Sequence, residues 1–293
     1  MTAERWQEIQ AKGGAVCLSN RSKWLITGSD SVRYLNGQVT QDVRQAKGNK
    51  AVYACVTDAK GRICGDVFVR QAEDGGGLLL DAEECLREAL GARLERYLVA
   101  DDAEITDVTD DWALWHFFGA AGEWDLHGCA AERLGVLGVD VWLKPKELPE
   151  VASWLTPDEV EIVRVLRGIP RYPYELNGEV FPPEAGLEAR AMDYVKGCYI
   201  GQEVLSRIKT TRKMPRELVF WALAEEGEVT PKTELVLPCG RVVGQVTSAV
   251  RHPETGRAVG LGYVKLGTVP DDSQLLVGND LATIARLVPG PSV

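Results

Sequence analysis

Alternating strand-like and helical spacing predicts an α+β fold, with antiparallel sheets and flanking helices through the first two-thirds of the chain and a small β-barrel after them. Three observations carry it. The β-prone runs 51–57, 63–70 and 78–80 are joined by short turns rich in Asp and Gly. From 82 to 98 the apolar residues Leu86, Ala89, Leu90, Leu94, Tyr97 and Leu98 recur at three- and four-residue intervals, the period of one helix face. After Arg216, five short β-prone runs (218–223, 234–237, 242–247, 258–264 and 274–277) alternate with Gly and Pro turns, as in a small barrel or sandwich. A domain boundary therefore falls near residue 215.

The remaining elements follow in order. Residues 15–18 and 24–27 have strand character. Gly28-Ser29-Asp30 supplies a turn and an N-cap for a short helix over 31–36, with Val32 and Leu35 inward and Gly37 stopping it in a left-handed conformation. The stretch 58–62 reads as a hairpin loop, in which Asp58 is a turn-capping residue. Strands are expected around 104–108, 112–118 and 139–143. A helix over 158–166 is opened by Pro157 and closed near Gly168-Ile169-Pro170, and 172–190 is turn-rich with little periodicity.

Composition narrows the function. The chain has 293 residues, 33 basic against 43 acidic, for a net charge of −10; 45% of it is apolar and 26% charged. That is an ordinary globular composition, and disorder is excluded. The acidic balance argues against a global grip on nucleic acid or anionic lipid and leaves room only for a local basic patch. The apolar runs are shorter than the roughly 18 residues of a spanning helix, and 1–11 has no apolar signal core. The seven cysteines include no C-x-x-C pair, so most are expected to be small core residues in a reducing cytoplasm. Monomer is the default state.

The densest chemical segment is Lys196-Gly197-Cys198-Tyr199-Ile200-Gly201-Gln202-Glu203. Gly201 permits a tight turn, and 202–208 can form a helix behind it, which puts Cys198 at or just before a helix N-terminus. Unpaired N–H groups there favour a thiolate, with Lys196 adding charge; such a thiol suits a nucleophile or a soft-metal ligand, whereas the structural alternative is a cysteine packed under a turn. Arg207, Lys209, Arg212, Lys213 and Arg216 form a basic run, either a solvated face or a site for a carboxylate tail or another anion. Asp66 follows Gly65 on an otherwise apolar strand, where it faces either solvent or a cleft in which it could bind an amine or act as a base. His116, His127 and His252 lie in no recognisable motif. Walker, GxGxxG and HExxH patterns are missing, which excludes the phosphate, dinucleotide and zinc devices they build.

Taken together, 17–21 through 37–42, then 53–66, and above all 196–203 resemble the YgfZ family of folate-binding proteins, related to the aminomethyltransferase (T-protein) of glycine cleavage. Residues 244–248 and 260–264 resemble the carboxy-terminal barrel of that superfamily. The resemblance implies a ring-like three-domain protein: 1–48 with 160–214, then 49–159, then the barrel 215–293. It implies a tetrahydrofolate site, help with assembling or repairing iron–sulfur clusters in client enzymes (some of them tRNA-modifying), and transient contact with iron or a cluster. Neither a membrane nor direct nucleic-acid contact is implied. On this basis Cys198 is the key functional residue, and Asp66, Leu166, Lys196, Gln202, Glu203 and Arg207 are the candidate cofactor-binding set. Two positions depart from the T-protein pattern: paired acids are replaced by Gly65-Asp66, and a pterin-recognising glutamate by Leu166, so that Glu184, Glu175 or a water would have to supply the acceptor. The alternatives are an aminomethyltransferase proper and a scaffold that has lost folate.

Overall fold

The computed structural model describes residues 1–72, 75–119, 128–145, 147, 154–269 and 273–286. His127, named above, lies outside them. The chain begins with α1 (Ala3–Lys12), a helix that only Trp6 and Ile9 anchor to the core, too few apolar residues to register in the spacing. β1 (Gly14–Cys17), β2 (Ser22–Thr27) and α2 (Ser31–Gln38) follow. Next come β3 (Val52–Thr57), β4 (Ile63–Gln71), β5 (Leu78–Ala82), α3 (Arg87–Glu95) and β6 (Glu104–Asp107). β7 (Ala113–Phe118), β8 (Cys129–Ala131), β9 (Gly138–Leu143), α4 (Pro157–Leu166), α5 (Glu188–Ala191) and α6 (Gln202–Thr211) complete the larger part. The remainder is β10 (Arg216–Leu223), β11 (Glu234–Val236), β12 (Val242–Arg251), β13 (Ala258–Lys265), β14 (Gln274–Val277) and β15 (Asp280–Arg286).

These strands make two open antiparallel sheets, β3-β4-β5-β2-β6 and β1-β7-β9-β8, and a closed barrel, β10-β13-β12-β11-β14-β15. The α+β class and the terminal barrel therefore stand as expected, with β15 as an additional strand that closes the barrel onto β10. Strand pairing cuts across the division expected at residues 48/49, since β1 pairs with β7 and β2 with β5.

Three helix details differ from expectation. α2 runs through Gly37 to Gln38 because the Val39 N–H still bonds to Leu35, and Val32 is 38% exposed while Leu35 is buried. The helix expected over 82–98 shortens to a 3-10 turn at Glu84–Leu86 followed by α3. Leu86, Leu90 and Leu94 pack onto Val67, Val69 and Leu80, whereas Tyr97 is left 39% exposed.

A buried ionic chain ties the two open sheets together. Arg133 reaches Asp81 on β5 (Nη2–Oδ2 2.7 Å) and Asp140 on β9 (Nε–Oδ1 2.8 Å), while Arg21 Nε lies 2.5 Å from the same Asp81. His116 Nδ1 is 2.8 Å from Asp140. Burial alone would raise the Asp140 carboxyl, yet Arg133 and His116 beside it hold it down at about 2. A second buried cluster joins α4 to the barrel. Arg164 donates to Glu175 (3.0 Å) and to the Ser248 hydroxyl (2.7 Å), Ser248 donates to Glu175 (2.6 Å), and the Tyr263 hydroxyl donates to the Glu175 carbonyl (2.9 Å). Among the described residues no helix is long and apolar enough to cross a membrane.

Candidate functional site

The loop that carries Cys198 is held from both sides. Its Ile200 N–H donates to the Gly37 carbonyl at the end of α2 (3.1 Å), and its Ile200 carbonyl accepts from the Thr57 hydroxyl at the end of β3 (2.6 Å). Gly201 then caps α6 at φ 89°, pressed so close to the β3–β4 loop that a Cβ there would lie 2.6 Å from the Asp58 carbonyl oxygen. A Cβ on Gly61 would in turn meet Leu205 of α6 at 3.2 Å. The expected turn at Gly201 and the Asp58 cap are both present; Asp58 Oδ1 accepts from the N–H groups of Lys60 and Arg62, each at 2.8 Å. Gly201→Ala is expected to cost more than about 2 kcal/mol, from left-handed strain plus a backbone clash. Gly197, with open space around it, should tolerate alanine within about 0.5 kcal/mol. Urea midpoints of the two variants compare the costs directly.

Cys198 is exposed, three residues ahead of the Gly201 cap, and Val195 of the same loop is 94% exposed. Lys196 does not stand beside the thiol as expected. Its ammonium is turned inward and donates to the carbonyls of Asn36 (2.6 Å), Val39 (2.7 Å) and Gln41 (2.8 Å). Burial pushes it down to about 7, against the upward pull of Asp42 and Asp193. With its three donors spent on carbonyls, Lys196 pins the loop to the end of α2 and has no N–H left for a ligand. Gln202 is half-buried at the start of α6, and Glu203 and Arg207 are exposed along it. Lys209 lies over the Tyr194 ring at 3.8 Å, and Arg216 leaves the run to enter the barrel.

Asp66 occupies a different, buried setting. On β4 it faces Cys55 across the ladder, two positions along from the Tyr53–Phe68 pair and so on the same face. The Tyr53 hydroxyl donates to Oδ2 (3.1 Å), while Oδ1 is buried without a partner. Arg21, whose charge acts on Asp66, likewise has a buried, unpartnered Nη2. Desolvation raises the carboxyl to about 6, Arg21 opposing. An orphaned acceptor and an orphaned donor in one charge cluster are what a polar ligand or a water would satisfy. Around them, the Tyr53 and Phe68 rings lie tilted by 34° with centroids 4.7 Å apart, with Arg133 over Phe68 (4.1 Å) and Arg190 over Tyr53 (5.7 Å). Strand periodicity could have found Tyr53 and Phe68, because the hairpin register places them on the Asp66 face. Arg21 and Arg190 come from remote segments, and no local signal marks them.

Leu166 is not among the groups around Asp66. It packs half-buried against the Trp6–Phe118–Leu155 cluster and lines a cavity of about 370 Å³ with Phe220 and His252. Of the substitute acceptors, Glu175 is spent on Arg164 and Ser248, and Glu184 accepts from the Phe181 N–H (2.8 Å), with Oε1 buried and unpartnered. Asp66 and the substitute acceptor Glu184 thus each keep a buried, unpartnered oxygen, and the expected set does not converge on one point. Among the described residues no group of three or more His, Cys, Asp or Glu side chains could hold a metal ion.

The GCVT N-terminal domain family matches residues 2–130, and the glycine cleavage T-protein C-terminal barrel domain matches 216–289. The fold is that of glycine cleavage system aminomethyltransferase T from Bartonella henselae, at TM-score 0.82 and 15% identity over 98% of this chain and 88% of that one. Fold and domain matches together define a protein of the T-protein superfamily. Relatives in sequence include an aminomethyltransferase of Rubrobacter xylanophilus, 27% identical over 97% of this chain and 84% of the relative. The tRNA-modifying protein YgfZ of Shigella boydii is 27% identical over 88% of this chain and 87% of its own. A mitochondrial iron-sulfur cluster assembly factor IBA57 homolog of Pyricularia oryzae is 29% identical over 85% and 67%. The chain carries the GCVT N-terminal domain and the glycine cleavage T-protein C-terminal barrel domain, and it is similar to YgfZ over most of its length.

Proposed function

We propose that the protein is a tetrahydrofolate-binding accessory factor that assists assembly or repair of iron–sulfur clusters in client enzymes, tRNA-modifying ones included, and that Cys198 is the residue that meets the cluster or its iron. The observation that carries this reading is an exposed thiol on a loop pinned by Lys196, Gly37 and Thr57, so that it is accessible and yet fixed in place. A single thiolate cannot hold iron alone, and the described residues offer no complete ligand set. The cluster is therefore cargo, with the client supplying the other ligands. A cytoplasmic monomer whose partners are folate and client enzymes, without direct nucleic-acid contact, belongs to the same proposal.

On this reading folate would bind at Asp66. Asp66 Oδ1, buried and unpartnered, would accept an N–H of the reduced pterin or its amine, with Tyr53 fixing the carboxyl and the Tyr53–Phe68 pair offering an apolar wall. Bound there, tetrahydrofolate would supply a reduced pterin able to carry a one-carbon unit. Quenching of the eight tryptophans measures binding. Asp66→Ala should weaken it by about 1–3 kcal/mol, roughly ten- to hundredfold. No quenching of the native protein at high micromolar reduced folate would favour a scaffold that has lost the ligand.

One observation also favours the aminomethyltransferase reading: a buried carboxyl raised to about 6 is poised to exchange a proton near neutral pH. Formation of methylenetetrahydrofolate from an aminomethyl-lipoyl donor would establish it. On the maturation reading, Cys198→Ala changes stability by no more than about 0.5 kcal/mol, because the side chain is exposed, but fails to restore iron–sulfur enzyme activity in a deletion strain. Full rescue by that variant would remove the thiol from the mechanism.

A further inference from the structure

A cavity of about 640 Å³ opens where the tip of the β3–β4 hairpin meets the barrel, walled by Arg62, Glu179, Arg216, Val243, Tyr263 and Lys265 among others. Neither Asp66 nor Cys198 lines it. Its lining is cationic on balance: three cations from three separate segments against one acid, Glu179, line one space in a protein with a net charge of −10. Two of them, Arg216 and Lys265, sit directly opposite each other in the β10–β13 ladder. Like charges so placed repel, and the arrangement becomes favourable when an anion lies between them.

The cations are also oriented. Arg62 and Arg216 each donate to the Glu179 carbonyl, which holds both guanidinium groups at one rim. The Arg62 guanidinium lies over the Phe181 ring at 3.7 Å and that of Arg216 over Tyr263 at 5.0 Å, so both planar forks are fixed before a ligand arrives. They share one buried carboxylate, Glu184, at 3.8 Å from Arg62 and 3.5 Å from Arg216. Lys265 is exposed, with no ion pair or hydrogen bond to its ammonium among the described residues. A volume near 640 Å³ exceeds what a single inorganic ion needs and falls within the range of small-molecule sites. Val243, Val264 and Tyr263 provide the apolar wall that such a body requires.

We propose that this cavity binds a small organic oxyanion, a phosphate ester or a polycarboxylate, whose head lies between Arg62, Arg216 and Lys265 and whose body lies along Val243 and Tyr263. Isothermal titration calorimetry of the full chain tests it in two arms: adenosine triphosphate and pyrophosphate for the phosphate source, citrate and tri-γ-glutamate for the carboxylate source. At least one arm should bind one-to-one with a dissociation constant below about 1 mM at low salt. Binding should weaken as salt rises, and about fivefold in Lys265→Gln. Asp66→Asn should leave it unchanged, which separates this site from the folate reading. The arm that binds identifies the chemical source. Absence of binding in both arms up to about 5 mM, or native affinity in both Lys265→Gln and Arg62→Gln, would overturn the assignment, as would loss of binding in Asp66→Asn. Arg216 is left intact because it neutralises Glu184, and its removal would confound affinity with stability.

Discussion

Replacing Arg133 with methionine is expected to lower the unfolding free energy by about 3–5 kcal/mol, the largest effect of any single change considered. The guanidinium is buried and is shared by Asp81 and Asp140, which come from two different sheets. Without it, Asp140 would keep His116, and Asp81 Arg21, as their ionic partners among the described residues. The pH profile gives a second signature. In the native protein Asp140 is held at about 2, below its ordinary value of 3.8, so its contribution is complete above about pH 4 and is lost as pH falls toward 2. Arg133→Met should flatten that acid limb as well as lower the plateau. Urea unfolding at neutral and acid pH reads both, and a loss below about 1 kcal/mol would show that the ion pairs contribute no more than surface ones.

Asp66→Asn is expected to do the opposite and stabilise the protein at alkaline pH. Desolvation raises the folded carboxyl to about 6, above its ordinary 3.8. A group raised on folding favours the native state while protonated, fully so below about pH 4, and that contribution is lost as pH climbs through about 6. Asparagine stays neutral and can still accept from the Tyr53 hydroxyl. The variant should therefore match the native protein near pH 4 and exceed it by up to about 3 kcal/mol at pH 8, two pK units converted at about 1.4 kcal/mol each. Melting curves at the two pH values check the difference, and equal stability at pH 8 would place the carboxylate in a solvated setting. A residue retained at such a cost to stability is of the kind found at functional sites.

How much of this was legible in the sequence depends on how local each signal is. The hairpin around Asp58 and the barrel strands were readable because two-residue alternation and Gly or Asp turns are written within a few positions. Gly37 misled for the opposite reason. A glycine after Leu35-Asn36 looks like a stop, but the Val39 N–H still finds the Leu35 carbonyl and the helix continues one residue past it. The thiol loop was identified by its residues, yet the direction of Lys196 was not, since the carbonyls of Asn36, Val39 and Gln41 that attract it lie about 155–160 residues earlier. Arg21 and Arg133 were invisible for the same reason: a buried ion pair is a fact of tertiary structure, and neither partner alters the local pattern of the other.

The Arg164–Glu175–Ser248 cluster has a practical consequence. Glu175 takes one donor from α4 and another from β12, and its carbonyl takes the hydroxyl of Tyr263 on β13. Around it, Leu218, Leu261 and Tyr263 of the barrel share a core with Ile63, Val165 and Leu176. A polypeptide severed near residue 215 would strand a charged pair at a freshly bared hydrocarbon face, and each fragment would tend to aggregate. Experiments that dissect this protein by truncation would thus report on damaged halves, while point substitutions in the intact chain keep both surfaces covered.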